Sequence, residues 1–113
     1  MESQTKVNVR PADQVAVLEI VGDLTSSADT AMDEAYLEAI QGYKKLLLCF
    51  REQDFTNSAG IALLIDLVSQ SQQKDVVLRI AHPSAHFRKI FDLVGLSQHV
   101  PVFATIEEAR QNF

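Results

Sequence analysis

Lys44-Lys45-Leu46-Leu47-Leu48-Cys49-Phe50 is an unbroken apolar run flanked by charge, with no alternation. Such a run predicts a strand buried on both faces, as in a parallel sheet with helices on both sides. A polar turn follows, Arg51-Glu52-Gln53-Asp54-Phe55-Thr56. Apolar residues then recur at Ile61, Leu64, Ile65 and Val68, the spacing of one helix face. Asn57 stands just before that helix and suits the N-cap, where a side-chain oxygen accepts an orphan backbone N–H. The stretch reads strand, short loop, helix N-terminus. In open α/β sheets that junction carries the functional surface.

The same reading extends along the chain. Val7 to Arg10 predicts a short strand ended by Pro11, which has no N–H to give a ladder, with a turn through Ala12-Asp13-Gln14. From Val15 to Val21 the residues alternate, with Val15, Val17, Glu19 and Val21 on one face and Ala16, Leu18 and Ile20 on the other. The pair makes an antiparallel hairpin. Gly22-Asp23-Leu24-Thr25 leaves it as a loop. Ser26 or Ser27 then caps a helix from about Ala28 to Gln41, with Ala28, Ala31, Met32, Ala35, Tyr36 and Ala39 inward and Gly42 as its stop. Acidic residues crowd its first turns, where the helix dipole favours them. After Gln73-Lys74-Asp75, Val76 to Ala81 is the next strand. His82-Pro83-Ser84 breaks it and caps a helix that turns Phe87, Ile90, Phe91 and Val94 to one face and ends at Gly95. Val100 to Ala104 predicts a last short strand, and Thr105-Ile106-Glu107-Glu108 a capping box opening a helix through Phe113.

The order is β-β-α-β-α-β-α-β-α. It implies an α/β domain with a mixed, mostly parallel sheet of about four to five strands and about four helices. Leu46, Leu48, Leu64, Val68, Leu78, Ile80, Ile90 and Phe91 are its expected core. At 113 residues the chain is expected to form a single domain over residues 1–113.

Charge and composition narrow the partners. The net charge of −5 speaks against sequence-blind nucleic-acid binding and against an anionic membrane surface. No apolar run approaches the roughly 20 residues of a membrane span, and the first residues carry no apolar signal region. A cytoplasmic, reducing location is the expectation. Cys49, the only cysteine, falls in the buried run and reads as a small core residue.

Catalytic patterns are weak. His82 and His86 have helical metal-pair spacing, but Pro83 separates them, and both read as surface histidines. His99 is alone in a loop. There is no phosphate-cradling glycine run and no Cys-x-x-Cys, and Ser58 has no recognisable base. Asp54, just past the central strand, is where a receiver domain accepts phosphate. That chemistry needs an acidic cluster for a cation, and only Asp23 is offered; Ala81-His82-Pro83 stands where a lysine is required. Asp54 therefore reads as a loop-solvating carboxylate. No catalytic residue, metal ligand or cofactor is expected. The small residues of Asn57-Ser58-Ala59-Gly60-Ile61-Ala62 fit either close packing of the helix on the sheet or a flat surface for another protein.

At this turn the chain resembles the STAS domain family, the anti-sigma factor antagonists and their relatives. Phe55-Thr56-Asn57-Ser58-Ala59-Gly60-Ile61-Ala62 stands in place of the family's Asp-Ser-Ser-Gly-Leu-Gly-like turn. Val21-Gly22-Asp23-Leu24 is similar to the Gly-Asp-Leu turn after its second strand. The segment from Phe87 to Leu96 resembles its helix running into Gly-Leu. The resemblance covers nearly the whole chain. It implies a non-enzymatic, partner-switching regulator that binds an anti-sigma factor with a kinase-like ATPase fold and so frees a sigma factor for transcription. Asp23, Leu24, Thr25, Asn57, Ser58, Ala59, Gly60 and Ala62 are the implied partner-binding residues. Phosphorylation of the turn's second serine blocks binding in the family, and here that position is Ala59. The resemblance thus implies a constitutive binder, or one that uses Ser58 or Thr56 instead. A non-switching STAS scaffold or transporter accessory is the alternative, a phosphate-accepting receiver the more distant one, and a homodimer stays open.

Overall fold

The computed structural model describes residues 6–50, 56–111 and 113. Asp54 and the turn around it lie outside the described residues. β1 (Lys6–Ala12) and β2 (Val15–Val21) form the antiparallel hairpin, with Ala12 opposite Val15 and only Asp13 and Gln14 between them. Asp13 has φ 60°, a left-handed conformation that Asp tolerates better than most residues. β1 does not stop at Arg10 but continues through Pro11, opposite Ala16. It is an edge strand, paired on one side only, and there a residue without an N–H is admitted.

Among the described residues the sheet has five strands in the order β1-β2-β3-β4-β5, where β3 is Lys45–Cys49, β4 Val77–Ala81 and β5 Val102–Phe103. β2 to β5 are parallel neighbours. Between them run α1 (Asp29–Ile40), α2 (Ser58–Gln73) and α3 (Ala85–Leu93), and α4 (Ile106–Arg110) follows β5. The element order is that of the sequence pattern.

The covering of the sheet differs from expectation. Spatial order follows chain order without reversal, so right-handed crossovers carry every connecting helix to the same face. Met32 and Tyr36 of α1, Leu64 and Val68 of α2, and Phe87 and Phe91 of α3 accordingly join one core with Leu18, Ile20, Leu46, Leu48, Leu78 and Ile80. Among the described residues the other face is covered by α4 alone of the helices. There Ala109 packs with Val15, Val17, Leu47, Cys49 and Ala81, and Ile106, Phe103 and Phe113 border them. β3 is buried on both faces, as its unbroken apolar run requires, and Cys49 is a buried thiol in the thinner layer.

Helix ends show where local chemistry decided and where it did not. Ser84 Oγ accepts from Phe87 N at 3.1 Å, and Thr105 Oγ1 accepts from Glu108 N at 3.1 Å. α4 ends at Arg110 instead of running to Phe113. α1 has no serine cap: a 3-10 turn, Ser26–Ala28, leads into it, and Ala28 stands at the cap with no side-chain bond. His82 is no surface histidine. It is half-buried at φ 60°, with Nδ1 3.1 Å from Phe50 O. Ile90 is only partly buried, and Val94 and Ile65 are exposed at 48% and 47%, although all three sit on expected apolar faces.

Leu48 is 1% exposed at the centre of the main core. Leu48→Ala is expected to destabilise the domain by about 2–5 kcal/mol. Chemical denaturation should show a lower midpoint with an unchanged slope.

Candidate functional site

The carboxyl ends of β2 and β3 lie side by side, so the segments that leave them meet. Gly22, at φ 109°, turns the chain out of β2 into Asp23-Leu24-Thr25. Thr56 leads into α2 and forms a parallel bridge with Leu24. Thr56 Oγ1 donates to Leu24 O at 2.8 Å, in a buried position. Asn57 caps α2: Gly60 N donates to its Oδ1 at 3.1 Å, and Ile61 N donates to its carbonyl at 3.0 Å.

Gly60 permits this arrangement. A Cβ built at Gly60 would lie 2.0 Å from Leu24 O and 2.4 Å from Thr56 Oγ1. The first of these is backbone and cannot swing aside. α2 therefore lies against the β2–α1 loop at a distance open to glycine alone.

The residues singled out in the sequence separate into two sets. Leu24 is fully buried and Gly60 is buried, and both hold the surface in place from beneath. Asp23, Asn57, Ser58 and Ala62 are exposed, and Thr25 and Ala59 are half-exposed. Asp23 and Thr25 flank Leu24, whose bridge to Thr56 sets them next to the start of α2. Thr56 is 3% exposed with its hydroxyl engaged, which removes it as an accessible phosphate acceptor. Its structural role could be read only once Leu24 was known to lie beside it.

Next to this surface lies an apolar groove that the sequence did not suggest. Ile61, Ala62 and Ile65 of α2 face Ile90 and Val94 of α3 across a space of about 350 Å³, with Asn57 and Ser58 at its upper end. Leu93, exposed at 78%, stands nearby on α3. The spacing of Ile65, Ile90 and Val94 continues the core stripe and predicts them inward. The stripe is wider than the sheet can cover, and its outer edge borders the groove. No helix among the described residues is long and apolar enough to cross a membrane.

Gly60→Ala is expected to force α2 away from Leu24 and to cost about 1–3 kcal/mol, the usual scale of overpacking. Thermal unfolding followed by circular dichroism would measure it. An unchanged melting temperature would mean that the two segments separate without loss.

Comparison with known proteins gives a consistent family. The STAS domain family model matches residues 6–109. No curated protein matches the sequence. An anti-sigma factor antagonist from Mycobacterium paratuberculosis shares the fold at a TM-score of 0.77 and 18% identity, over 94% of this chain and 91% of that one. The phosphorylated form of the Bacillus cell fate determinant SpoIIAA does so at 0.67 and 20%, over 91% and 95%. A sulfate transporter family protein from Wolinella succinogenes does so at 0.74 and 16%, over 87% and 83%.

Proposed function

The chain belongs to the STAS domain family, and on that premise we propose that it is an anti-sigma factor antagonist, a non-enzymatic module that binds an anti-sigma factor with a kinase-like ATPase fold. One observation carries the reading. The exposed first turn of α2, with Ser58, Ala59 and Ala62, stands beside Asp23 and Thr25 and runs into the apolar groove lined by Ile65 and Val94. A docked protein would cover small side chains first and aliphatic ones beyond them. Little side-chain entropy is lost over the small residues, and apolar area is removed from water over the rest.

Binding is constitutive in this reading. A phosphate at the start of α2 would meet free N–H groups and the positive end of the helix. It would add about −1.5 to −2 charges, enough to change a docking surface without unfolding the domain. Ala59 has no hydroxyl to accept it, and Thr56 is buried. Ser58 is exposed but lies ~100° around the helix from Ala59, so a kinase site built for that position would not reach its hydroxyl in the same way.

Affinity capture from native cytoplasm is expected to recover a chain with the kinase-like ATPase fold. Ala62→Arg should abolish that capture, because a bulky charge would be buried unpaired in the interface, and should leave the melting temperature unchanged. Recovery of a membrane transporter or a multi-protein scaffold in place of the ATPase would favour a non-switching STAS role.

Incubation with the captured partner and ATP is expected to leave the wild-type chain unlabelled and its binding unaltered. Ala59→Ser should become labelled and release its partner in ATP. Stoichiometric phosphate on wild-type Ser58, mapped by mass spectrometry, would overturn constitutive binding.

A further inference from the structure

Among the described residues β1 ends the sheet and pairs only with β2, its Lys6 end opposite Val21 and so next to the β2–α1 loop, and its outward peptide groups from Lys6 to Arg10 have no ladder partner there. Val7 and Val9 pack against the main core on the α1 side. The strand alternation puts Lys6, Asn8 and Arg10 on the opposite face, and Arg10 reaches Glu19 there at 2.8 Å. Between the strand and α1 runs a groove of about 490 Å³. Val7, Val9, Ala31 and Ala35 line it, with Lys6 and Asn8 along the strand and Glu34 and Glu38 along α1. These two glutamates are one helical turn apart and exposed, and α1 contains no basic residue. Neither takes part in an ion pair or side-chain hydrogen bond among the described residues.

We propose that this edge and groove take an extended segment of another protein, added to the sheet beside β1, whose side chains alternate between basic on the α1 side and acidic on the other. Backbone pairing would supply the affinity and the alternating side chains the specificity. Lysine or arginine above the groove would meet Glu34 and Glu38. Acidic side chains on the far face would meet Lys6 and the exposed Arg10. The small lining residues leave room for an aliphatic side chain between the two basic ones.

A second copy of the chain fits poorly. Antiparallel self-pairing centred on Asn8 would set Lys6 directly opposite Arg10 of the other copy, a like-charge cross-strand pair. The two-fold axis would also bring Glu34 and Glu38 of both copies together on one face. Lys6, Arg10 and Pro11 are residue types that discourage edge-to-edge self-association. The same charges are an attraction for a partner strand of the complementary pattern. This groove shares no lining residue with the one beside the α2 turn, and the two readings can fail independently.

The test uses the whole chain and a fluorescein-labelled peptide, TKEVEKT, whose two lysines flank a valine on one side and whose glutamates lie on the other. Fluorescence anisotropy at low salt is expected to show saturable binding, and the acidic peptide TEEVEET none. The double variant Glu34→Lys/Glu38→Lys should bind TKEVEKT about threefold to tenfold more weakly, the scale of two exposed ion pairs made repulsive. Glu34→Gln/Glu38→Gln should fall between it and wild type, and circular dichroism should show both folded. Ala62→Arg should bind the peptide like wild type. Amide resonances of Val7 to Arg10 should shift on titration. Flat anisotropy into the millimolar range, equal binding by the lysine variant, or shifts confined to α2 would overturn the proposal. Concentration-dependent shifts of β1 without peptide would overturn it in favour of a second copy.

Discussion

The junction between Gly60 and the Leu24 carbonyl is the contact on which the proposed binding surface depends. The absence of a Cβ lets the first turn of α2 lie against the β2–α1 loop, and the Thr56 hydroxyl ties that loop down by donating to the same carbonyl. Asn57 satisfies the Gly60 amide from the other side. Three buried or capping groups thus bring two exposed segments into register, although they are far apart in sequence. The exposed residues on α2 need only be small. Their placement comes from beneath.

This junction lies where it does because of the way the sheet is wound. With strands in chain order, the helices that join parallel neighbours gather on one face, and no reversal opens a crevice at the carboxyl edge. The thin covering of the opposite face is held by other means. Arg79 lies over the rings of Phe113 and Phe103, at 4.3 and 5.4 Å, and donates to the carbonyls of Ala109 and Gln111. Lys45 Nζ donates to Phe113 O at 2.6 Å. A short helix with one fully buried side chain is secured there by cations drawn from central strands.

The two surfaces differ in their chemistry. The α2 turn is small, nearly uncharged and continuous with aliphatic side chains. The β1 edge is charged, with Glu34 and Glu38 on the α1 side and Lys6 and the Arg10–Glu19 pair along the strands. The two proposals thus rest on surfaces of unlike character.

Much of this was legible in the sequence, for reasons that can be named. The unbroken run at Leu46 to Phe50, the alternation at Val15 to Val21, and the caps at Asn57, Ser84 and Thr105 are local signals, set by backbone hydrogen bonding and by how many faces of an element are buried. They were enough for the element order and for the α2 turn. Apolar spacing could not say how far a neighbouring element extends, so Ile65, Ile90 and Val94 read as core and proved to border a groove. Nor could it show which loop carbonyl approaches Gly60, why Thr56 is buried, or that α1, α2 and α3 share one face. Those are pairings between distant segments, decided by strand order and by the handedness of crossovers, and they exist only once the chain has folded.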